Sequence, residues 1–400
     1  MRERGHLQAF KNEISGIGLE AHIVELYPVA ISTFLSELQK PYFLDPVLYK
    51  FGETFFGEYS EKRWVEVLTS EYGLDPILTA HGSGFDIAHL VGNKDLRTIV
   101  SKILDYQRTR LPNLSAEAQA LSMLSGEAEA PEIKPPEFLV APYIIINDAQ
   151  SLNATKLLAR ISLEQRKTGE RVFVCVALAR NMFTNLAEVH HVVDELRDLK
   201  PDGFLVWACD FEENREDSIV LDVFETLCHD LGAIGKGTQV INLFGGYYSV
   251  VLSARELLSG SVQGIGMSEY RDPFAAGGGG RKRYYIPKPH QLVGVDRAYD
   301  LYNTSRDLFW CGCEDCKAGG TPKDMTVAQL TTHAIRMRVK EFKDTSASSI
   351  QGIIQDLEND SVTLAAITED PVRDHATEFS KRLHVWAERF KALSAKGWIK

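Results

Sequence analysis

From about residue 40 to 272 the chain alternates short β-branched apolar runs with longer amphipathic stretches, and this rhythm limits its fold more than any other feature. Repeated βα units around a parallel sheet produce such an alternation. Runs at Pro41–Leu44, Pro76–Thr79, Leu139–Ile146, Val172–Ala177, Gly203–Ala208, Gln239–Phe244 and Gly264–Met267 read as strands, with an earlier one near His22–Tyr27. Between them Thr155–Thr168, Leu186–Leu199 and Ser218–Leu231 repeat apolar residues at three and four positions, the period of a helix. Eight strands with intervening helices predict an α/β fold, a closed (β/α)8 TIM-like barrel, which 400 residues accommodate with insertions. The barrel is expected over residues 1–308, and a zinc-binding motif with a C-terminal helical region over 309–400.

Two segments break the rhythm. Residues 127–137 are acidic and proline-rich and read as an exposed linker. Gly277–Gly280 followed by Arg281-Lys282-Arg283-Tyr284-Tyr285 reads either as a solvated loop feeding an edge strand or as a mobile loop whose basic-aromatic string contacts phosphate and stacks on a base. After Trp310 the rhythm stops. Met325–Phe342, Ser348–Glu358 and Val372–Leu393 then read as helices.

Composition narrows the function. With 44% hydrophobic and 25% charged residues the chain is an ordinary globular protein. No run approaches the roughly 18–20 apolar residues of a membrane helix, and the opening MRERGHLQAF lacks a signal-peptide core, so a cytoplasmic protein without membrane contact is expected. A net charge of −11 argues against broad attraction to phosphate backbones, although it permits a local basic patch.

Six cysteines are present, and three of them fall within six residues. Cys311-Gly-Cys313-Glu-Asp-Cys316 puts three thiols on one tight turn, which suits a zinc ion far better than a set of disulfides. His333, on the helix that follows, is the candidate fourth ligand. A site closed by four protein ligands is structural rather than catalytic.

A parallel barrel followed by CxCxxC and a later histidine resembles the tRNA-guanine transglycosylase superfamily, whose members exchange a guanine for a 7-deazaguanine base on a nucleic acid. Phe204–Ala208, Val240–Gly246 and Gly264–Met267 resemble the family's sixth, seventh and eighth strands, and Asp75–Thr79 with Gly82–Phe85 resembles its third strand and glycine-rich turn. The similarity spans roughly residues 40 to 345. Ile144-Ile145-Ile146-Asn147-Asp148 resembles the segment whose aspartate reads the guanine edge. Two departures stand out. Where the family has its acid/base aspartate this chain has Ala80 and His81, and where it has the nucleophilic aspartate this chain has Gly264-Ile265-Gly266. The family's base-reading glutamine falls at Ala177 or Leu178, and its zinc histidine near Ser349, so His333 would be a rearranged ligand.

Barrel enzymes build their sites at the C-terminal ends of strands. Here those ends offer Asp45, His81, Asp148, Asp210, Ser268, Glu269, Arg271 and Asp272. Cleaving an N-glycosidic bond needs one group to stabilise or capture an oxocarbenium-like carbon and another to move the proton of the departing base. Glu269 suits the first role and His81 the second. Asp148 would bind the base edge, Phe85 or Phe244 would stack on its face, and Gly245 and Gly246 would line the site. Each has a plainer role as well: Asp45 before Pro46 starts a turn, His81 caps a helix, Glu269 pairs with Arg271.

The resemblance leaves two function classes. One is a transglycosylase-like glycosyltransferase acting on a guanine or 7-deazaguanine base in DNA or RNA, with altered catalytic groups. The other is a non-exchanging relative of the kind encoded in anti-phage CBASS operons, which binds or acts on a protein partner from its defence operon. A homodimer is compatible with both.

Overall fold

The structure, a computed structural model, describes residues 9–78, 84–125, 132–264, 271, 273 and 282–400. It is a mixed α/β fold that includes a five-stranded parallel sheet. Two compact units divide the chain: Ile14–Ala208 with Asp230–Gln239, and Cys209–His229 with Val240–Lys400 and Met1–Glu13.

In the first unit β1 (Ile17–Glu20) runs parallel to β2 (Tyr42–Asp45), with Glu20 opposite Asp45. The strands β3 (Leu139–Ala141), β4 (Val172–Leu178) and β5 (Gly203–Ala208) pair in parallel in that order. All of β4 and β5 is buried, as expected of parallel strands covered on both faces. The backbone N–H of Glu137 donates to Tyr42 O at 2.8 Å, and the rings of Phe43, Phe138 and Phe173 stack at 4.9 and 3.9 Å, tying β2 to β3 and β4. Gly203 is required there, because a Cβ would lie 2.4 Å from the Phe173 ring.

Several expectations need correction. His22–Tyr27 is not a strand: Ala21–Leu26 is helical and β1 ends just before it. The buried residues Ala21 and Val24 lie three apart, on one helical face. Pro76–Leu78 belongs to a turn, where the N–H groups of Ile77 and Leu78 both donate to Leu74 O. Thr79 lies outside the described residues, as do Ile265–Met267 of the expected last strand. Leu139–Ile146 shortens to β3 plus an isolated bridge between Ile146 and Leu178. Residues 132–137 of the expected linker carry no regular structure, while 126–131 lie outside the described residues.

The second unit contains β6 (Gln239–Leu243) from Val240 onward, its parallel neighbour β7 (Gly260–Val262), and the antiparallel hairpin of β8 (Arg283–Ile286) with β9 (Gln291–Gly294). The three expected C-terminal helices span Val327–Ala347, Ile350–Ala365 and Arg373–Ala395. The first starts at a capping box of Thr326 and Gln329, and Ser361 Oγ joins the second to the third by donating to Ser380 O at 2.8 Å. No helix among the described residues is long and apolar enough to cross a membrane.

Candidate metal centre

Gly312 holds φ at +64°, a conformation that suits glycine and folds Cys311 and Cys313 back toward each other. Cys313 then caps the short helix Glu314–Gly319, which carries Cys316 inward to full burial. Arg336 pins this turn to the Val327–Ala347 helix by donating from Nε to Asp315 Oδ2 at 2.9 Å. From that same helix His333, fully buried, points its Nδ1 at all three thiols.

The Nδ1 atom lies 3.6, 3.4 and 3.6 Å from the sulfurs of Cys311, Cys313 and Cys316, and the sulfurs of Cys311 and Cys316 lie 3.4 Å apart. All four ligand atoms fall within 4.8 Å of one another. A tetrahedral ion with Zn–S and Zn–N bonds of ordinary length requires ligand separations of about 3.5–3.8 Å. The donor set and its spacing therefore fit a single four-coordinate ion, with every position filled by the protein.

The surroundings orient these ligands. His333 Nε2 donates to Tyr285 O at 2.8 Å, which turns Nδ1 toward the thiols. The Tyr284 hydroxyl lies 3.2 Å from Cys316 Sγ and its ring stacks on His333 at 4.4 Å, while the Cys313 N–H donates to Cys311 Sγ at 3.4 Å. Burial alone would lower the His333 pKa, but hydrogen bonds with Cys311 and Cys313 raise it to about 9. Hydrogen bonds from Cys311 and Cys316 pull the Cys313 thiol down, and the same crowding, with Cys311 foremost, pushes Cys316 up. Three sulfurs this close compete for protons, a conflict that a shared cation removes.

The other sequence candidates that lie among the described residues do not join this cluster. Asp148 is exposed and caps the helix Ala149–Glu164: its Oδ1 accepts from the Ser151 N–H at 2.8 Å and from Ser151 Oγ at 2.7 Å. The Ser151 backbone N–H holds this carboxyl below its usual range. Phe85 is 2% exposed, and its backbone bridges Gly52, so it is a core ring rather than an open stacking platform. Phe244 is half-buried with φ at +62°, and the Arg271 guanidinium lies 5.4 Å from its ring centre. His81 and Glu269 lie outside the described residues. Tyr284 and Tyr285 are fully buried, so the basic-aromatic string has no exposed tyrosine rings for a base.

Gly245 and Gly246 make room for the protein itself. A Cβ on Gly245 would lie 2.3 Å from Ser261 Oγ, and one on Gly246 would lie 2.8 Å from Glu213 Oε2. Sequence reasoning missed Glu213, which is 2% exposed and accepts from the Ser249 hydroxyl and the backbone N–H of Ser249 and Gly246. Burial raises its pKa. A second missed network centres on Glu341, which is bonded by the Tyr285 hydroxyl, by Arg338 Nη1 at 2.7 Å and by His290 Nδ1 at 2.6 Å. Burial would raise the Glu341 pKa, yet the charge of Arg338 and the bond to His290 hold it low. The i,i+3 spacing of Arg338 and Glu341 was the one signal available in the sequence. No protein-family model matches the chain, and no curated protein matches its sequence.

Proposed function

We propose that the chain is a zinc-stabilised (β/α)8 barrel, akin to the tRNA-guanine transglycosylases, that binds a guanine or 7-deazaguanine base belonging to DNA or RNA. Asp148 is the observation that carries this reading. It follows Ile146 by two residues, and Ile146 exchanges backbone bonds with Ala177 and Ala179 at the C-terminal end of β4. That edge of a parallel sheet is where α/β proteins gather their ligands. Its carboxyl, which the Ser151 N–H holds below the usual aspartate range, offers the acceptor oxygens that a guanine N–H edge requires. The Cys311, Cys313, Cys316 and His333 cluster supports a structural zinc, because softness, count and spacing all suit that ion.

Base exchange would then draw on Glu269 as the group at the anomeric carbon and His81 as the proton relay. The test is calorimetric titration of the whole protein with guanine and a 7-deazaguanine, followed by a labelled-guanine exchange assay on DNA and RNA. Binding that disappears in Asp148→Asn supports the reading; equal affinity in the two proteins removes it. Exchange that is lost in both Glu269→Gln and His81→Ala supports their roles, and activity in Glu269→Gln excludes that residue as nucleophile.

One observation favours the non-exchanging alternative, in which the protein binds a protein partner within a defence system. The Glu213 carboxylate already takes the Gly246 N–H and fills the space beside it, so this glycine turn is satisfied from within. Absence of exchange on every nucleic acid tried would make this the better reading.

A further inference from the structure

Three thiolates around one dication carry a net negative charge, in a place where Cys316 and His333 have no solvent exposure. A buried anionic sulfur needs hydrogen-bond donors, because burial removes the water that would otherwise solvate it. The CxCxxC turn supplies two from its own backbone: the Cys313 N–H donates to Cys311 Sγ at 3.4 Å, and the Cys316 N–H serves Cys313. Cys316 itself lies inside the short helix Glu314–Gly319, and amides that follow it are already committed. The Lys317 N–H donates to Cys313 O at 2.9 Å and the Gly320 N–H to Cys316 O at 3.1 Å. The donor that reaches this third sulfur comes from another element: the Tyr284 hydroxyl on β8, 3.2 Å from Cys316 Sγ.

Tyr284 is fully buried, and alternation along β8 turns it toward the thiols while Tyr285 turns toward Glu341. Its ring stacks on that of His333 at 4.4 Å and lies nearly parallel to that of Trp310, the residue before Cys311, at 5.9 Å. We propose that Tyr284 is the positioning residue of the metal centre: its hydroxyl donates to the Cys316 thiolate, its ring fixes the plane of His333, and together these set how tightly the metal is held. This role rests on the reading of the cluster as a structural zinc site. It also gives the basic-aromatic string a task within the protein, since its first tyrosine serves the metal ligands instead of a nucleic-acid base.

The experiment uses the full chain produced in zinc-poor, cobalt-supplemented medium. Cobalt(II) takes the same four ligands, and its thiolate-to-metal charge-transfer absorption reports the electron density on sulfur. Zinc affinity is measured alongside by competition with a chromophoric chelator. Tyr284→Phe keeps the ring and removes the hydroxyl. It should shift the charge-transfer band to lower energy, because a thiolate without that bond gives up an electron more readily, and weaken zinc binding about tenfold. Tyr284→Leu, which removes the stacked ring as well, should weaken it further. Tyr285→Phe removes the neighbouring hydroxyl that bonds Glu341 and should move neither readout. An unchanged band and affinity in Tyr284→Phe would overturn the role of the hydroxyl, as would an equal change in Tyr285→Phe. A wild type that takes up neither cobalt nor zinc would overturn the zinc reading itself, and the role of Tyr284 with it.

Discussion

His333 faces three thiols with Nδ1 while its Nε2 bonds the Tyr285 carbonyl at 2.8 Å, so one strand of the β8–β9 hairpin sets the tautomer of the candidate ligand. Freshly prepared protein should therefore contain about one zinc per chain by elemental analysis. Replacing Cys316, the buried thiol, with serine should release the metal and destabilise the C-terminal helices by several kcal/mol, because structural metal binding is coupled to folding. Metal-free protein with an unchanged melting temperature would remove the site. His333→Ala should weaken retention in the same assay.

Asp148 caps a helix and, in the proposed reading, binds a base, and different substitutions separate the two. As a helix cap bonded to Ser151, it should cost about 1 kcal/mol of stability when changed to alanine, and only a few tenths when changed to asparagine, which caps equally well. An amide, however, cannot accept along its whole edge as a carboxylate does. Asp148→Asn should keep the melting temperature and lose at least about tenfold in affinity for guanine, one tenfold step being about 1.4 kcal/mol. Thermal melts paired with calorimetry decide this.

The legible parts of the fold were those with local causes. Val172–Leu178 and Gly203–Ala208 are apolar throughout and became central parallel strands, and the CxCxxC turn with His333 came together as its spacing implied. Where β-branched residues had a second option, the reading failed: Ile23 and Val24 joined a helix because burial at Ala21 and Val24 follows a period of three. Tyr284 and Tyr285 looked like an exposed stacking string, but alternation in β8 sends one to the thiol cluster and the other to Glu341. Glu213 was invisible, since its partners Gly246 and Ser249 lie more than thirty residues downstream.

Tyr285 joins two networks through different atoms, which permits a selective test. Its carbonyl serves His333, whereas its hydroxyl bonds Glu341 and receives Arg338 Nη1 at 2.9 Å. Tyr285→Phe removes only the hydroxyl. Stability should fall by about 1–3 kcal/mol, the usual cost of leaving buried charged groups short of a partner. Zinc content should stay at the wild-type level. Loss of zinc together with stability would mean that the hydroxyl network, not the carbonyl, positions His333.

An acid limb of stability should trace to the pair of Arg108 and Glu170. Arg108 reaches both carboxylate oxygens at 2.8 Å, and although burial would raise the Glu170 pKa, these bonds hold it below its usual value. A carboxylate depressed in the folded state stabilises above its unfolded pKa, about 4.3 for glutamate, and that contribution disappears as pH falls through the folded value. Removing the charge with Glu170→Gln should therefore cost roughly 0.5–1 kcal/mol at pH 7, in line with a partly exposed ion pair. The difference from wild type should be full above the unfolded pKa and shrink only as pH falls through the lower folded value, where the wild type also loses the charge. Urea midpoints across an acid pH series measure it; a gap that stays constant with pH would assign the loss to packing of the glutamate stem instead of its charge.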